Sequence, residues 1–138
     1  MTPQEFIDIA LWFPEATEDQ PYGPDALVYK VAGKSFAILA GADAAEDEET
    51  EPARITLKCE PDLALELRAQ FPSITPGYHT DKRHWNTIVL DGTVPDDELV
   101  EMTVHSYQRV IAGLRRADRD RLTAVLGQDA PPLPGETT

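Results

Sequence analysis

Apolar and polar residues recur along the chain with two different periods, one typical of helices and one of strands. Thr2 and Glu5 form a capping-box pattern around Pro3, and the apolar residues that follow keep helical spacing until Pro14. This pattern predicts a first helix near the start of the chain. The same reasoning predicts a helix opened by Pro61, a long helix over residues 95–115 and a short one over residues 118–126.

Strict alternation of apolar and polar residues predicts the strands. Leu27, Tyr29 and Val31 alternate, Ala32-Gly33 turns the chain, and a second alternating run follows, which indicates a hairpin. Because the elements are not ordered as strand–helix–strand units, we expect an α+β fold, an antiparallel sheet with helices packed on one face. The predicted strands cover residues 27–31, 36–40, 55–59 and 85–90.

Length and composition are those of a single globular domain. The chain has 138 residues, of which 41% are hydrophobic, enough for a buried core. We predict one domain over residues 1–127 and a disordered tail over residues 128–138, QDAPPLPGETT. No apolar run is long enough to span a membrane and the first residues include acids, so we expect a cytoplasmic protein with no membrane partner.

The charge is strongly negative and unevenly distributed. The chain has 12 Lys and Arg against 25 Asp and Glu, a net charge of −13. Residues 1–53 contain 2 basic and 12 acidic residues, whereas residues 54–116 contain 8 basic and 9 acidic residues. The second half can therefore carry a local basic patch, although the overall charge weighs against generic coating of DNA.

Common catalytic and cofactor motifs are absent from the sequence. It contains no glycine-rich phosphate loop and no nucleophile elbow. The single Cys59 excludes an internal disulfide and fits a buried packing thiol, and the acidic run at residues 43–51 has Glu48 where a calcium loop needs glycine. His105 fits a surface ion-pair ladder on the long helix. We therefore predict no enzyme activity, no cofactor and no metal site.

Residues 75–86, TPGYHTDKRHWN, concentrate the side chains suited to binding. Lys82 and Arg83 can contact phosphate, Tyr78 and His79 can stack on bases, and Asn86 can contact a base edge. A structural role is the alternative. Trp85 would then open a strand and pack, Pro76-Gly77 would form a turn, the cations would keep the loop hydrated, and the histidines would hydrogen-bond locally.

At these residues the chain resembles the MmcQ/YjbR family of small bacterial proteins. TPGYHTDKRHWNTIVLDG at residues 75–92 resembles the signature segment of that family, and the resemblance covers residues 3–122. It implies a frataxin/CyaY-like sheet of about four to five strands and the DNA-binding label that members often carry, although fold alone does not establish function. The hallmark residues that it implies are Tyr78, His79, Lys82, Arg83, His84, Trp85 and Asn86.

Three functions remain open from the sequence. The first is a non-enzymatic DNA-binding or DNA-associated regulatory protein that binds double-stranded DNA through Lys82 and Arg83, helped by Arg54 and Lys58. The second is an adaptor that docks another protein through Tyr78, Arg83 and Trp85. The third is weak metal binding at an acidic edge, which requires Glu5 and Asp8 to lie close to Glu15 or Glu18.

Overall fold

The computed structural model describes residues 1–23, 25–42, 52–78 and 80–135. Within these ranges the chain forms four helices and six strands. The helices are α1 (Pro3–Trp12), α2 (Pro61–Gln70), α3 (Asp96–Ala112) and α4 (Arg116–Leu126). The strands are β1 (Thr17–Asp19), β2 (Ala26–Val31), β3 (Lys34–Ala40), β4 (Arg54–Lys58), β5 (Ile74–Pro76) and β6 (Trp85–Val89).

The strands form one antiparallel sheet in the order β1-β2-β3-β4-β6-β5. This confirms the predicted α+β class, but the sheet has six strands and not four to five. The two additional strands are three residues long and lie at the sheet edges. β1 is fully exposed and has no apolar alternation, and β5 ends in Pro76, so neither carries the pattern of a central strand.

Local sequence signals explain several element boundaries. The Thr2 side chain accepts a hydrogen bond from Glu5 N–H and the Glu5 carboxylate accepts one from Thr2 N–H, so the predicted capping box is confirmed. Ala32 and Gly33 both have positive φ, 49° and 78°, which suits a two-residue turn between twisted strands. At the start of α2, the Glu60 carboxylate accepts hydrogen bonds from two backbone N–H groups of the first turn.

The register separates two faces of the sheet. We call the helix-covered side the inner face; it carries the row Leu27, Leu39, Ile55, Ile88 and Ile74, all of them buried. α3 packs on β3 and β4, whereas α2 packs on β5 and β6. The opposite side, the outer face, carries the next row along the strands, Val28, Ile38, Thr56, Thr87 and Thr75.

An aromatic cluster joins α1 and α3 to the sheet. Phe13 stacks on Tyr107 at 4.8 Å between ring centroids, and Phe36 meets both rings edge-on. Phe36 lies at the β-bulge between β2 and β3, which gives β3 one additional residue at this point. The Tyr107 hydroxyl donates a hydrogen bond of 2.7 Å to the Pro14 carbonyl, so this buried phenol is satisfied.

The segment after α4 returns to α1. Pro131 is buried and Leu133 packs against the core, and both lie beside Trp12. The predicted domain bounds at residues 1–127 and 128–138 stay a prediction. None of the described helices is both long and apolar enough to cross a membrane.

Candidate functional site: a basic and aromatic surface on the sheet

The outer face of β4 and β6 carries cations on either side of a threonine pair. Arg54, Thr56 and Lys58 alternate along β4 and lie opposite Val89, Thr87 and Trp85 of β6. The Thr56 and Thr87 hydroxyls lie 2.9 Å apart, and both residues are buried although they belong to this face. The hydroxyls satisfy each other, so the row between the two cations is hydrogen-bonded and rigid.

Tyr78 is fixed beside this row by its backbone. Its N–H donates a hydrogen bond of 3.0 Å to the Thr87 hydroxyl. The side chain is 61% exposed, and the Arg54 guanidinium carbon lies 5.7 Å from the centre of the ring. That distance is within the range of a cation–π contact. Tyr78 and Arg54 therefore present an aromatic ring and a positive charge together on the outer face.

Gly77 allows the chain to pass close to β6 just before Tyr78. Its N–H donates a hydrogen bond of 2.8 Å to the Trp85 carbonyl. A Cβ atom on Gly77 would lie 2.1 Å from the Thr80 hydroxyl oxygen and 2.7 Å from the Trp85 Cβ. Glycine is required here by close packing, not by a positive φ.

Lys82 and Arg83 lie in a turn that Asp81 stabilises. The Asp81 carboxylate accepts a hydrogen bond of 3.0 Å from Arg83 N–H, and the Asp81 carbonyl accepts one of 3.1 Å from His84 N–H. Both cationic side chains are exposed. The Lys82 ammonium donates a hydrogen bond of 3.1 Å to the carbonyl of Gly77, the residue before Tyr78. This contact connects the turn to the outer-face residues.

Arg68 of α2 holds the same turn from the inner side. Its Nε donates a hydrogen bond of 2.6 Å to Asn86 Oδ1, and one terminal nitrogen donates to the carbonyls of Lys82 and Trp85. Sequence reasoning missed this residue. The sequence contained one signal for it. Arg68 follows Ala64 by four residues and so lies on the buried side of the helix, where a cation needs hydrogen-bond partners within the protein.

We define the basic–aromatic surface as Arg54, Lys58, Tyr78, Lys82 and Arg83. Among the residues that the structure describes, none of its four cations forms a salt bridge with an acidic side chain. The basic residues of β2 and α4, and Arg115 just before α4, differ in this respect, since Lys30, Arg115, Arg116, Arg119 and Arg121 are all paired. The basic–aromatic surface can therefore offer positive charge to a ligand although the net charge of the chain is negative.

The remaining predicted site residues are placed differently. Asn86 is 2% exposed, and its amide is occupied by Arg68 and by the Ala64 carbonyl. Trp85 and His84 are partly buried, with His84 Nε2 3.9 Å from Asp81. His79 lies outside the described residues. The loop is thus divided into exposed groups that can meet a ligand and buried groups that hold the structure.

His105 departs from its predicted role, whereas Cys59 is buried as predicted. His105 forms no ion pair with its neighbours on α3; it is partly buried, and its Nε2 accepts a hydrogen bond of 3.1 Å from Glu60 N–H. Burial and the nearby Arg109 charge lower the pKa of His105. Burial raises the pKa of the Cys59 thiol to about 11, which favours the neutral thiol.

The acidic edge required for metal binding does not form among the described residues. Glu15 pairs with Arg121 at 3.0 Å, Glu18 accepts a hydrogen bond from the Tyr29 hydroxyl, and Glu5 caps α1. No group of three or more His, Cys, Asp or Glu side chains in the described ranges is arranged to hold a metal ion. The prediction that these acids cluster into a metal site, on which the third function depends, is therefore wrong for the described residues.

A family model and the sequences of known relatives indicate the same family for this chain. The family model described as YjbR matches residues 11–109. The chain is 32% identical over 111 residues to uncharacterized protein YjbR of Escherichia coli (strain K12), which covers 80% of this chain and 88% of that protein. It is 30% identical over 114 residues to uncharacterized protein YbdF of Escherichia coli O157:H7, with 83% and 88% covered.

Solved structures extend the similarity to three dimensions. The crystal structure of Deinococcus radiodurans protein DR2400, a DUF419 domain, superimposes with a TM-score of 0.76 at 33% identity, covering 99% of this chain and 95% of that one. A crystal structure of a Pseudomonas syringae protein gives a TM-score of 0.68 at 29% identity, covering 79% and 98%. The family model and these relatives together show that the chain belongs to the YjbR family.

Proposed function

We propose that this protein is a non-enzymatic, cytoplasmic protein that binds double-stranded DNA through the basic–aromatic surface. One observation carries the proposal. Arg54, Lys58 and Tyr78 share the outer face of the sheet, beside Lys82 and Arg83, and the four cations have no acidic partner in the described part of the chain. Two cations on a strand and two in the adjoining turn, none of them in a salt bridge with a described acid, are suited to successive phosphates.

The proposed binding depends mainly on the DNA backbone. Lys82 and Arg83 are exposed and can reach phosphates, while Arg54 combines a charge with the Tyr78 ring. The buried Asn86 amide is occupied by other groups of the protein, so it does not supply base readout. We therefore expect weak discrimination between sequences and an affinity limited by the net charge of −13.

The dependence of the DNA affinity on salt concentration tests this binding to the DNA backbone directly. We would measure fluorescence anisotropy of a labelled duplex with the natural chain and with Lys82→Ala/Arg83→Ala. If four cations each neutralise a phosphate, affinity should fall about 150-fold between about 50 and 200 mM salt, and about 12-fold in the double variant. Lys34→Ala is the matched control, because Lys34 is an exposed cation at the β2–β3 turn, outside the surface.

The outcomes separate this function from its alternative. Salt-sensitive binding that weakens in the double variant but not in Lys34→Ala would support the proposal. Absence of binding at the lower salt concentration, or equal loss in both variants, would overturn it. The loop would then be tested as a docking surface for another protein, the second function that the sequence left open. Tyr78 and Arg83 are exposed, as docking requires, but Trp85 is partly buried.

A further inference from the structure

A cavity of about 370 Å³ lies between α2 and α3, on the side of the sheet opposite the basic–aromatic surface. It forms because α2 packs on β5 and β6 while α3 packs on β3 and β4, which leaves the inner face uncovered between the helices. Leu57 and Ile88 of the sheet form its floor, and Leu63, Leu67 and Met102 line its walls. Its size and apolar lining are those of small-ligand sites.

One stripe of α3 supplies the polar part of the cavity. Glu98, Glu101, His105 and Gln108 recur at helical spacing and all line it. Neither glutamate forms a salt bridge with any of the described residues. Lys58 also borders the cavity, but the register of β4 directs its side chain to the outer face.

The other polar groups nearby do not neutralise these two carboxylates. His105 accepts a hydrogen bond at Nε2 from Glu60 N–H, which requires an unprotonated nitrogen, and its lowered pKa keeps the ring neutral. The Cys59 thiol is neutral as well. Arg109 does not line the cavity; its charge acts on Glu60 and on the lining residues His105 and Cys59. It follows Glu101 by eight residues of α3, about 12 Å along the helix, so it lies beyond the end of the cavity that carries the two glutamates. The cavity therefore combines apolar walls with a negative rim.

We propose that this cavity binds a small molecule with an apolar or aromatic body and one protonated amine. The body would lie on Leu57 and Ile88 between the helices, and the ammonium group would meet Glu98 and Glu101. A carboxylate ligand would be repelled by the same rim, and a neutral ligand would gain no attraction from the two glutamates, of which Glu98 is half-buried and Glu101 exposed. The inference is independent of DNA binding, because the two sites are on opposite faces of the sheet.

Three ligands of one shape test the charge requirement. 2-Phenylethylamine is the cation, 2-phenylethanol its neutral counterpart and 3-phenylpropanoate the anion. Fragments of about ten heavy atoms are expected to bind with a Kd of about 1 mM. Titrations followed by ¹H–¹⁵N correlation spectra should give an affinity for the amine about fivefold higher than for the alcohol, with little binding of the acid. The shifted amides should lie along α2, α3 and β6.

Paired variants then locate the charge. Glu98→Gln/Glu101→Gln should remove the preference for the amine over the alcohol but keep alcohol binding, which also verifies that the cavity is intact. Glu66→Gln/Asp129→Asn removes the same charge at exposed positions that do not line the cavity, and should leave the preference unchanged. Equal affinity for the three ligands, no shifts at millimolar amine, or an unchanged preference in the first variant would overturn the proposal.

Discussion

The Arg68 side chain holds the segment that carries most of the predicted site residues. Its guanidinium group donates to the Asn86 amide oxygen and to the carbonyls of Lys82 and Trp85. A planar group with several donors can satisfy these acceptors together, which an ammonium group cannot. The position of Lys82 and Arg83 therefore depends on a partly buried interaction on the opposite side of the loop.

Replacing Arg68 should destabilise the protein measurably. Arg68→Ala leaves the buried Asn86 oxygen without its charged donor, and we expect the free energy of unfolding to fall by about 2 kcal/mol. The free energy of unfolding of Arg68→Lys should lie between those of the natural chain and Arg68→Ala. Urea denaturation measures the change, with Arg115→Ala as the control, because the Arg115 side chain is 92% exposed and its pair spans 3.9 Å. Equal effects of the two alanine variants would contradict this role of Arg68.

At the scale of elements, His105 and Ser106 connect α3 to the start of α2 and to the sheet. His105 accepts a hydrogen bond from Glu60 N–H, and Ser106 donates to the Phe36 carbonyl while accepting one from Lys58 N–H. These contacts position the helices on either side of the cavity. A helix with only apolar residues on its inner side would lack these hydrogen bonds, which fix the position of α3 along the strands.

The His105 contact predicts a pH dependence of stability. The pKa of His105 in the folded protein is lowered by burial and by Arg109, below its ordinary value of 6.5. The unfolded chain therefore binds more protons as pH falls through that value, and stability decreases towards acid. Urea unfolding at pH about 7.5 and about 5.5 should show a smaller loss in His105→Gln than in the natural chain. An identical loss in both chains would contradict the assignment.

At the scale of the whole molecule, two opposite effects of charge coexist. A net charge of −13 gives long-range repulsion within the folded chain and towards DNA. The acids are concentrated in residues 1–53, six of them in residues 43–51, while the basic–aromatic surface is built from later residues. Salt screens both interactions, so raising its concentration weakens the attraction between the basic–aromatic surface and DNA and also weakens the self-repulsion of the acidic folded chain.

Salt should stabilise this protein while it weakens DNA binding. Raising NaCl from about 50 to about 500 mM screens the self-repulsion, and we expect the free energy of unfolding to rise by about 1 kcal/mol. A variant with the six acids of residues 43–51 replaced by amides would have a net charge of −7 by removal of six charges. It should show a smaller salt effect in urea denaturation and tighter DNA binding at low salt. A salt effect of the same size in both chains would contradict this explanation.

Predictions from the sequence succeeded where the signal is local. The capping box at Thr2, the turn at Ala32-Gly33 and the helix after Pro61 are encoded by neighbouring residues, because caps and turns are short-range interactions. The edge strands β1 and β5 were missed, since three residues with no apolar alternation become strands only through the partner beside them.

Reading the sequence was enough to predict the α+β class, the family and the uneven distribution of charge, and to select residues 75–86 as the candidate site. Which side chains of that segment are exposed follows only from the folded chain. The tertiary structure placed Asn86 under α2, set Arg54 over the Tyr78 ring with Lys58 on the same face of the sheet, and opened the cavity beside Glu98. Each of these depends on contacts between residues distant in sequence, which periodicity and spacing do not record because they describe only one element at a time.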